Sequence, residues 1–282
     1  PIPLGAEWLE TSSTVFQEIV NNPEVKVDIK TVADNPDRKF VNYSWFNFFE
    51  DYIAPSVKQK IRFKTIVKSI DYSGQQIIIT TQNGQEKADK VILAVPLKIL
   101  QEKAIEFVPS LPLDKQTTIN SLEVWSGFKA FVEFKTKFYE DEITITSNKD
   151  GEKIYYNAAF GQNSSKNILG LFTVGQPAKA FTALSGDSLK DYILADLDKI
   201  YGNKATQNYV KHITQNWDDE PYIKGGYLTD NADWRLVNKL SEPINTKLYF
   251  AGGEYTDGED WVSVHTAAKS AKNAVQELLT TP

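Results

Sequence analysis

Three stretches of this chain carry residue types that could do chemistry, and each is also compatible with a plain role in packing. Lys129 stands in Trp125-Ser126-Gly127-Phe128-Lys129-Ala130-Phe131-Val132, a lone lysine between aromatic residues in an alternating, strand-like run. Such a lysine can lay its methylene stem on apolar surface and leave the ammonium in water. Partly buried beside a cofactor, it would have a lowered pKa and could act as a base or hold a water. The second stretch, Trp217 to Tyr227, joins an acidic turn, Pro221 and the pair Gly225-Gly226, with aromatics at both ends. Two glycines let a backbone come close to a planar ligand, although a loop with packing aromatics would read the same way. The third is Lys247-Leu248-Tyr249-Phe250-Ala251-Gly252-Gly253-Glu254, followed by a run from Trp261 to Leu279. It predicts a short apolar strand, a glycine corner and a helix, an arrangement that can seat a cofactor against a helix N-terminus.

Composition removes most other chemistries. The chain has no cysteine and only His212 and His265 as histidines. Disulfides, thiolate nucleophiles, iron–sulfur clusters, Cys-based zinc sites and His-rich metal centres are excluded, and no metal is expected. No G-x-S-x-G, Walker or metal-ligand spacing is present. A formal charge of −6 with no basic run argues against nucleic acid and for a small-molecule partner. With 282 residues, 41% hydrophobic and 24% charged, the chain can bury one large core or two smaller ones. No apolar stretch reaches the roughly 18 residues of a membrane span, and no signal peptide is visible at the start. The expectation is a soluble, cytoplasmic protein.

The elements that must position these residues follow from periodicity. Ser13 to Asn21 predicts a short helix. Trp45, Phe48, Phe49 and Tyr52 share one helical face, as a core-facing stripe or as a cofactor or substrate wall. Arg62 to Asp71, Gln75 to Gln82 and Lys90 to Val95, punctuated by Ser73-Gly74 and Asn83-Gly84, predict a three-stranded meander. Its last run is apolar enough for a strand buried on both faces. A short helix is expected over Asp114 to Leu122, then strands over Gly127 to Phe134, Ile143 to Thr146, Lys153 to Phe160 and Ile168 to Val174. Asp187 to Tyr201 predicts an amphipathic helix striped by Leu189, Ile193, Leu197 and Ile200. Val210 to Trp217 reads as a further strand.

Several of these segments resemble the flavin-containing amine oxidase family. The matching stretches are Leu4-Gly5-Ala6-Glu7-Trp8, the run from Val67 to Leu97 that ends Val91-Ile92-Leu93-Ala94-Val95-Pro96-Leu97, the series from Ala94 to Phe134, Trp217 to Tyr227, and Lys247 to Trp261. The resemblance implies an α/β fold: a Rossmann-like FAD-binding domain interleaved with an α+β mixed-sheet substrate domain. Residues 1–10, 60–98 and 244–282 would be FAD-binding portions, and 11–59 and 99–243 the substrate domain. The family's G-x-G-x-x-G unit would precede residue 1, so the FAD domain is expected to be N-terminally truncated.

The same resemblance implies FAD-dependent oxidation of an amine or amino acid to an imine, with oxygen reoxidising the flavin to give hydrogen peroxide. Lys129 would be the active-site lysine, linked through water to flavin N5, and Tyr227 one wall of the cage that orients the substrate amine. Gly5, Ala6, Trp217, Gly225, Gly226, Gly252, Gly253, Glu254, Trp261, Val262 and Ser263 would contact the cofactor. Some members attach the flavin through a cysteine that Gly226 replaces here, so FAD would be held without a covalent bond. The second cage wall falls on Ser263 or Val264, neither aromatic, unless Trp261 fills it. His265 reads as structural or surface. A flavin-fold remnant or binding subunit without turnover, and a desaturase-like oxidoreductase, stay open as alternatives.

Overall fold

The strand Gly127–Phe134 is the middle of the first of two compact units, residues 1–56 with 125–220; the second comprises 57–124 with 221–282. Residues 2–9, 13–31, 38–141, 144–148 and 150–281 are described by the structure, a computed structural model. Residues 1–10 thus fold with the first unit, and 99–124 and 221–243 with the second.

In the first unit five antiparallel strands run in the order Tyr209–Asn216, Gly127–Phe134, Asn167–Gly175, Gly151–Asn157, Thr144–Asn148. The predicted strands are all present within a few residues; Ile143 itself lies outside the described residues. The expected in–out alternation of Gly127–Phe134 is replaced by burial on both faces. Phe128, Ala130, Val132 and Phe134 pack on one face with Leu189, Ile193 and Leu197 from the helix Gly186–Tyr201 and with Phe181 from Gln176–Thr182. On the other face Phe131 packs with Ile154 and Tyr156, against Ile2, Trp8 and Phe172. Each fully buried Phe or Leu here contributes about 2 kcal/mol. Ile200, placed on the helix stripe by its spacing, is 44% exposed: the chain leaves the helix two residues later at Gly202, whose φ of 63° suits glycine. Trp45 to Val57 is helical throughout, with a π turn over Phe49–Ile53. The rings of the expected face stand together, Phe49 at 6.2 Å from Trp45 and Tyr52 at 5.2 Å from Phe48, with Trp45 and Phe48 buried and Phe49 46% exposed at its edge.

In the second unit the meander is Val67–Asp71, Ile77–Thr81 and Gly84–Ala88, with Glu106–Val108 added parallel to the first. Its third strand begins at the Asn83-Gly84 turn itself, a correction to the expected Lys90 to Val95. Val91–Leu93 leaves that sheet and pairs parallel with Leu248–Phe250. The apolar run is a strand with a remote partner, but Val91 and Ile92 are half-buried and Leu93 alone of its residues is buried, a correction to the expected burial on both faces. Helices Leu97–Gln101, Leu113–Ser121, Trp234–Ser241 and Val264–Thr280 complete the unit. Leu93, Leu97, Val237, Leu240, Leu248 and Phe250 lie in one core. No helix among the described residues is long and apolar enough to cross a membrane.

Candidate functional site

Lys129 does not reach water. Only 2% of its side chain is exposed, because its face of the sheet is covered by the N-terminal segment. Its ammonium donates to the carbonyls of Gly5 at 2.8 Å and Pro3 at 3.1 Å and to Glu7 Oε2 at 3.1 Å. A lysine has three N–H donors, and all three end on oxygens of the chain. The rings of Trp8, Phe131 and Tyr156 stand 5.5 to 5.9 Å from Nζ, within range of cation–π attraction. Glu7 Oε2 also accepts a short hydrogen bond from the Tyr156 hydroxyl. Its Oε1 lies 2.6 Å from Lys39 Nζ, a close ion pair off hydrogen-bond alignment.

These contacts set the charges. Burial pushes the Glu7 carboxyl up, but Lys129 and then Lys39 overcome it, and the group lies below the usual carboxylate range. Burial pulls the Lys129 ammonium below the usual lysine value, against the opposing pull of Glu7. Tyr156, buried beside Glu7, is raised well above an ordinary phenol and stays a donor.

In the second unit the parallel strands Val91–Leu93 and Leu248–Phe250 end side by side, and the chain turns at Gly252 and Gly253. Gly252 has φ 141° and a Cβ at Gly253 would stand 3.3 Å from Val262 Cα, so the backbone passes close there. Ser270 Oγ accepts from the Gly252 amide at 3.2 Å and donates to the Tyr255 carbonyl. Val262 closes the loop on Gly253 O at 2.9 Å with φ 72°, a strained conformation for a β-branched residue. Ser263 caps the helix Val264–Thr280 in a reciprocal capping box with Thr266. Glu254 Oε2 accepts the Leu97 amide at 2.6 Å. Burial raises this carboxyl to about 7, the one hydrogen bond lowering it only in part.

The structure therefore groups Gly5, Glu7 and Lys129 in the first unit and Gly252, Gly253, Glu254, Val262 and Ser263 in the second. Ala6 is exposed. Trp217 donates its amide to Gly127 O at 2.9 Å, beside the start of the lysine strand. Gly225, Gly226 and Tyr227 belong to the second unit, Gly225 buried and the other two half-buried. Trp261 donates its indole N–H to Thr229 O at 3.1 Å, which fixes that ring in its own loop. His265 is buried, with Nε2 3.2 Å from Asp260 Oδ2. Sequence reasoning passed over Glu7, Lys39, Tyr156 and Lys115. The last is buried, its ammonium bonded to the carbonyls of Lys239, Leu240 and Glu242 and 4.1 Å from the Phe250 ring centre. No local signal marks these four residues, because their partners are remote in sequence.

The glycine corner has the make-up of a flavin seat. It lies beyond the carboxyl ends of two parallel strands, where open α/β sheets bind ligands, and it leads into a helix N-terminus, which stabilises negative charge. No cluster of metal ligands occurs among the described residues. A family model described as flavin containing amine oxidoreductase matches residues 47–279. Lysine-specific histone demethylase 1B of Mus musculus is 25% identical over 174 residues, 59% of this chain and 21% of that protein. An L-amino-acid oxidase of Protobothrops flavoviridis is 28% identical over 187 residues, 62% of this chain and 36% of that protein. A solved structure of wild-type putrescine oxidase bound to putrescine matches with TM-score 0.68 at 17% identity, covering 87% of this chain and 54% of that one. The chain thus spans about half the solved oxidase and well under half of these two curated relatives, and the structural likeness establishes the fold.

Proposed function

The chain belongs to the flavin-containing amine oxidoreductase family, and from that premise we propose that it serves the FAD-dependent oxidation of an amine or amino acid to an imine. Bound FAD would supply the two-electron acceptor for this oxidation, with oxygen as the final oxidant and hydrogen peroxide as its product. The observation that carries this reading is Lys129: an ammonium enclosed on an interior strand of the five-stranded sheet, ringed by aromatics, with a lowered proton affinity. Perturbed, enclosed lysines of this kind are marks of functional sites.

Each residue has a task in this reading. Lys129 holds a proton or a water at Nζ, which requires exchanging one of its three bonds to the chain; those to Pro3 and Glu7, at 3.1 Å, are longer than the bond to Gly5. In the second unit Gly225, Gly226, Gly252, Gly253, Glu254, Trp261, Val262 and Ser263 would hold their part of the cofactor without a covalent bond. Tyr227 orients the amine. Within the second unit the FAD-binding portions would be residues 60–98 and 244–282.

The visible spectrum of the purified protein tests the reading. Flavin absorption that is bleached by an amine or amino acid, with peroxide released, supports it. A colourless protein that ignores added FAD overturns it, and a flavin-loaded protein inert to both substrate classes reduces the reading to cofactor binding.

A further inference from the structure

Glu7 faces more positive charge than it can neutralise. Its side chain is 1% exposed, and the two ammonium groups on it, Lys39 and Lys129, are 4% and 2% exposed. One carboxylate against two ammonium groups leaves an excess positive charge in a place where charge is costly. The carboxylate is divided by geometry: Oε1 belongs to Lys39, and Oε2 to Lys129 and the Tyr156 hydroxyl.

Among the described residues no further charge competes at Lys129. Its cross-strand neighbours are Phe172 and Gln215, and Gln215 is held by Glu220 Oε1 at 2.7 Å. Glu133, the other acid on its strand, pairs with Lys166 at 3.1 Å and Lys211 at 3.7 Å. The covering segment brings Trp8, which is neutral, and Glu7 itself; the strand Gly151–Asn157 brings Tyr156, and Arg38–Phe40 brings Lys39. Thus Glu7 is the anion that Lys129 feels, and Lys39 its competitor.

We propose that Glu7 is the positioning residue of Lys129, fixing where the ammonium sits and how firmly it keeps its proton, with Lys39 setting the share of the carboxylate that Lys129 receives. This rests on the proposed role of Lys129 for its bearing on catalysis, but not for the linkage itself. Glu7 orients Lys129 through one oxygen and is oriented in turn by Lys39 through the other, so the three side chains act as a unit.

The linkage is read without turnover, on the full chain labelled with carbon-13 at lysine Cε, by following the Lys129 signal against pH. In Glu7→Gln the two ammonium groups lose their shared anion, and the Lys129 midpoint falls by two pH units or more, a hundredfold loss of proton affinity. In Lys39→Met the carboxylate is left to Lys129 and Tyr156, and the midpoint rises by at least one unit, a tenfold gain. Glu7→Asp keeps the charge and restores most of the midpoint. If Glu7→Gln does not fold, Lys39→Met decides, because a purely structural network would lower the melting temperature and leave the midpoint where it was. A midpoint unmoved in Lys39→Met overturns the proposal, whatever the flavin spectrum shows. A shifted midpoint in a protein without amine oxidation upholds the linkage and rejects only the reaction.

Discussion

Glu254 and Leu97 are joined by a 2.6 Å hydrogen bond from the Leu97 amide to the carboxylate, across 157 residues of sequence. The bond ties the chain after one parallel strand to the chain after the other, and it places an acid where burial disfavours its charge.

Stability should carry the signature of that acid. The Glu254 carboxyl titrates at about 7 in the folded chain against 4.5 as the unperturbed value. Between those values the unfolded chain has released the proton and the folded chain has kept it, so raising the pH favours unfolding. The penalty is absent below the lower value, grows through the window and is complete above about 7, where it amounts to about 3 kcal/mol. Glu254→Gln keeps an acceptor for Leu97 and removes the charge. Its melting temperature should match the parent near pH 4.5 and exceed it near pH 8; equal values at both pH extremes would show that the carboxylate is solvated.

Gly170 is directly opposite Tyr156 on the neighbouring strand, and a Cβ there would stand 2.4 Å from the tyrosine ring. The ring can lie flat over the strand, with its hydroxyl on Glu7, because position 170 has no side chain. Gly170→Ala should therefore cost about 1–3 kcal/mol in urea unfolding by overpacking. It should also displace the Tyr156 hydroxyl, seen as a shifted tyrosine ring resonance. Tyr156→Phe, which loses the hydrogen bond but keeps the packing, should cost less, about 1–2 kcal/mol. The reverse order would mean that the ring has room to retreat.

Lys115 closes the C-terminal end of the helix Trp234–Ser241 through three carbonyls, and burial pulls its ammonium down to about 8. Lys115→Met keeps the stem against Phe250 but strands buried acceptors. The expected cost is about 2–4 kcal/mol in chemical denaturation, with earlier hydrogen exchange in residues 234–241 than in the sheet strands. A loss below about 0.5 kcal/mol, within the range of ordinary surface changes, would mean that water replaces the ammonium.

The parts that were legible in the sequence are those whose signal is local. Gly127–Phe134 could be read to the residue from its alternating, strand-like run, and a short helix within Ser13 to Asn21. The double-sided burial of the same strand could not, because residues 2–9, which cover Lys129, are more than a hundred positions away. Val91–Leu93 announced itself as a strand, though not its half-burial, and its partner Leu248–Phe250 does not follow from any short-range pattern. Glu7 was passed over for the same reason: in Gly5-Ala6-Glu7-Trp8 an acid reads as surface until Lys39 and Lys129 stand beside it. The stripe Trp45, Phe48, Phe49 and Tyr52 was legible from its helical spacing, and its rings do stand together, with Phe49 46% exposed at the edge.

Lys129→Met separates the structural from the chemical share of this lysine. Methionine fills nearly the same volume, leaves Glu7 paired with Lys39 in a neutral cluster, and gives up the bonds to Pro3 and Gly5. Relief of the excess charge offsets the lost hydrogen bonds, each worth about 1 kcal/mol, so the melting temperature should change by no more than a few degrees. Flavin binding, measured by absorbance after gel filtration, should survive. The rate of flavin reduction or reoxidation by a substrate amine should fall by about 10²-fold or more if Nζ transfers or positions a proton. Equal rates in parent and variant would assign the lysine to the architecture of the sheet, because a charge buried for catalysis cannot be removed without slowing the step it serves.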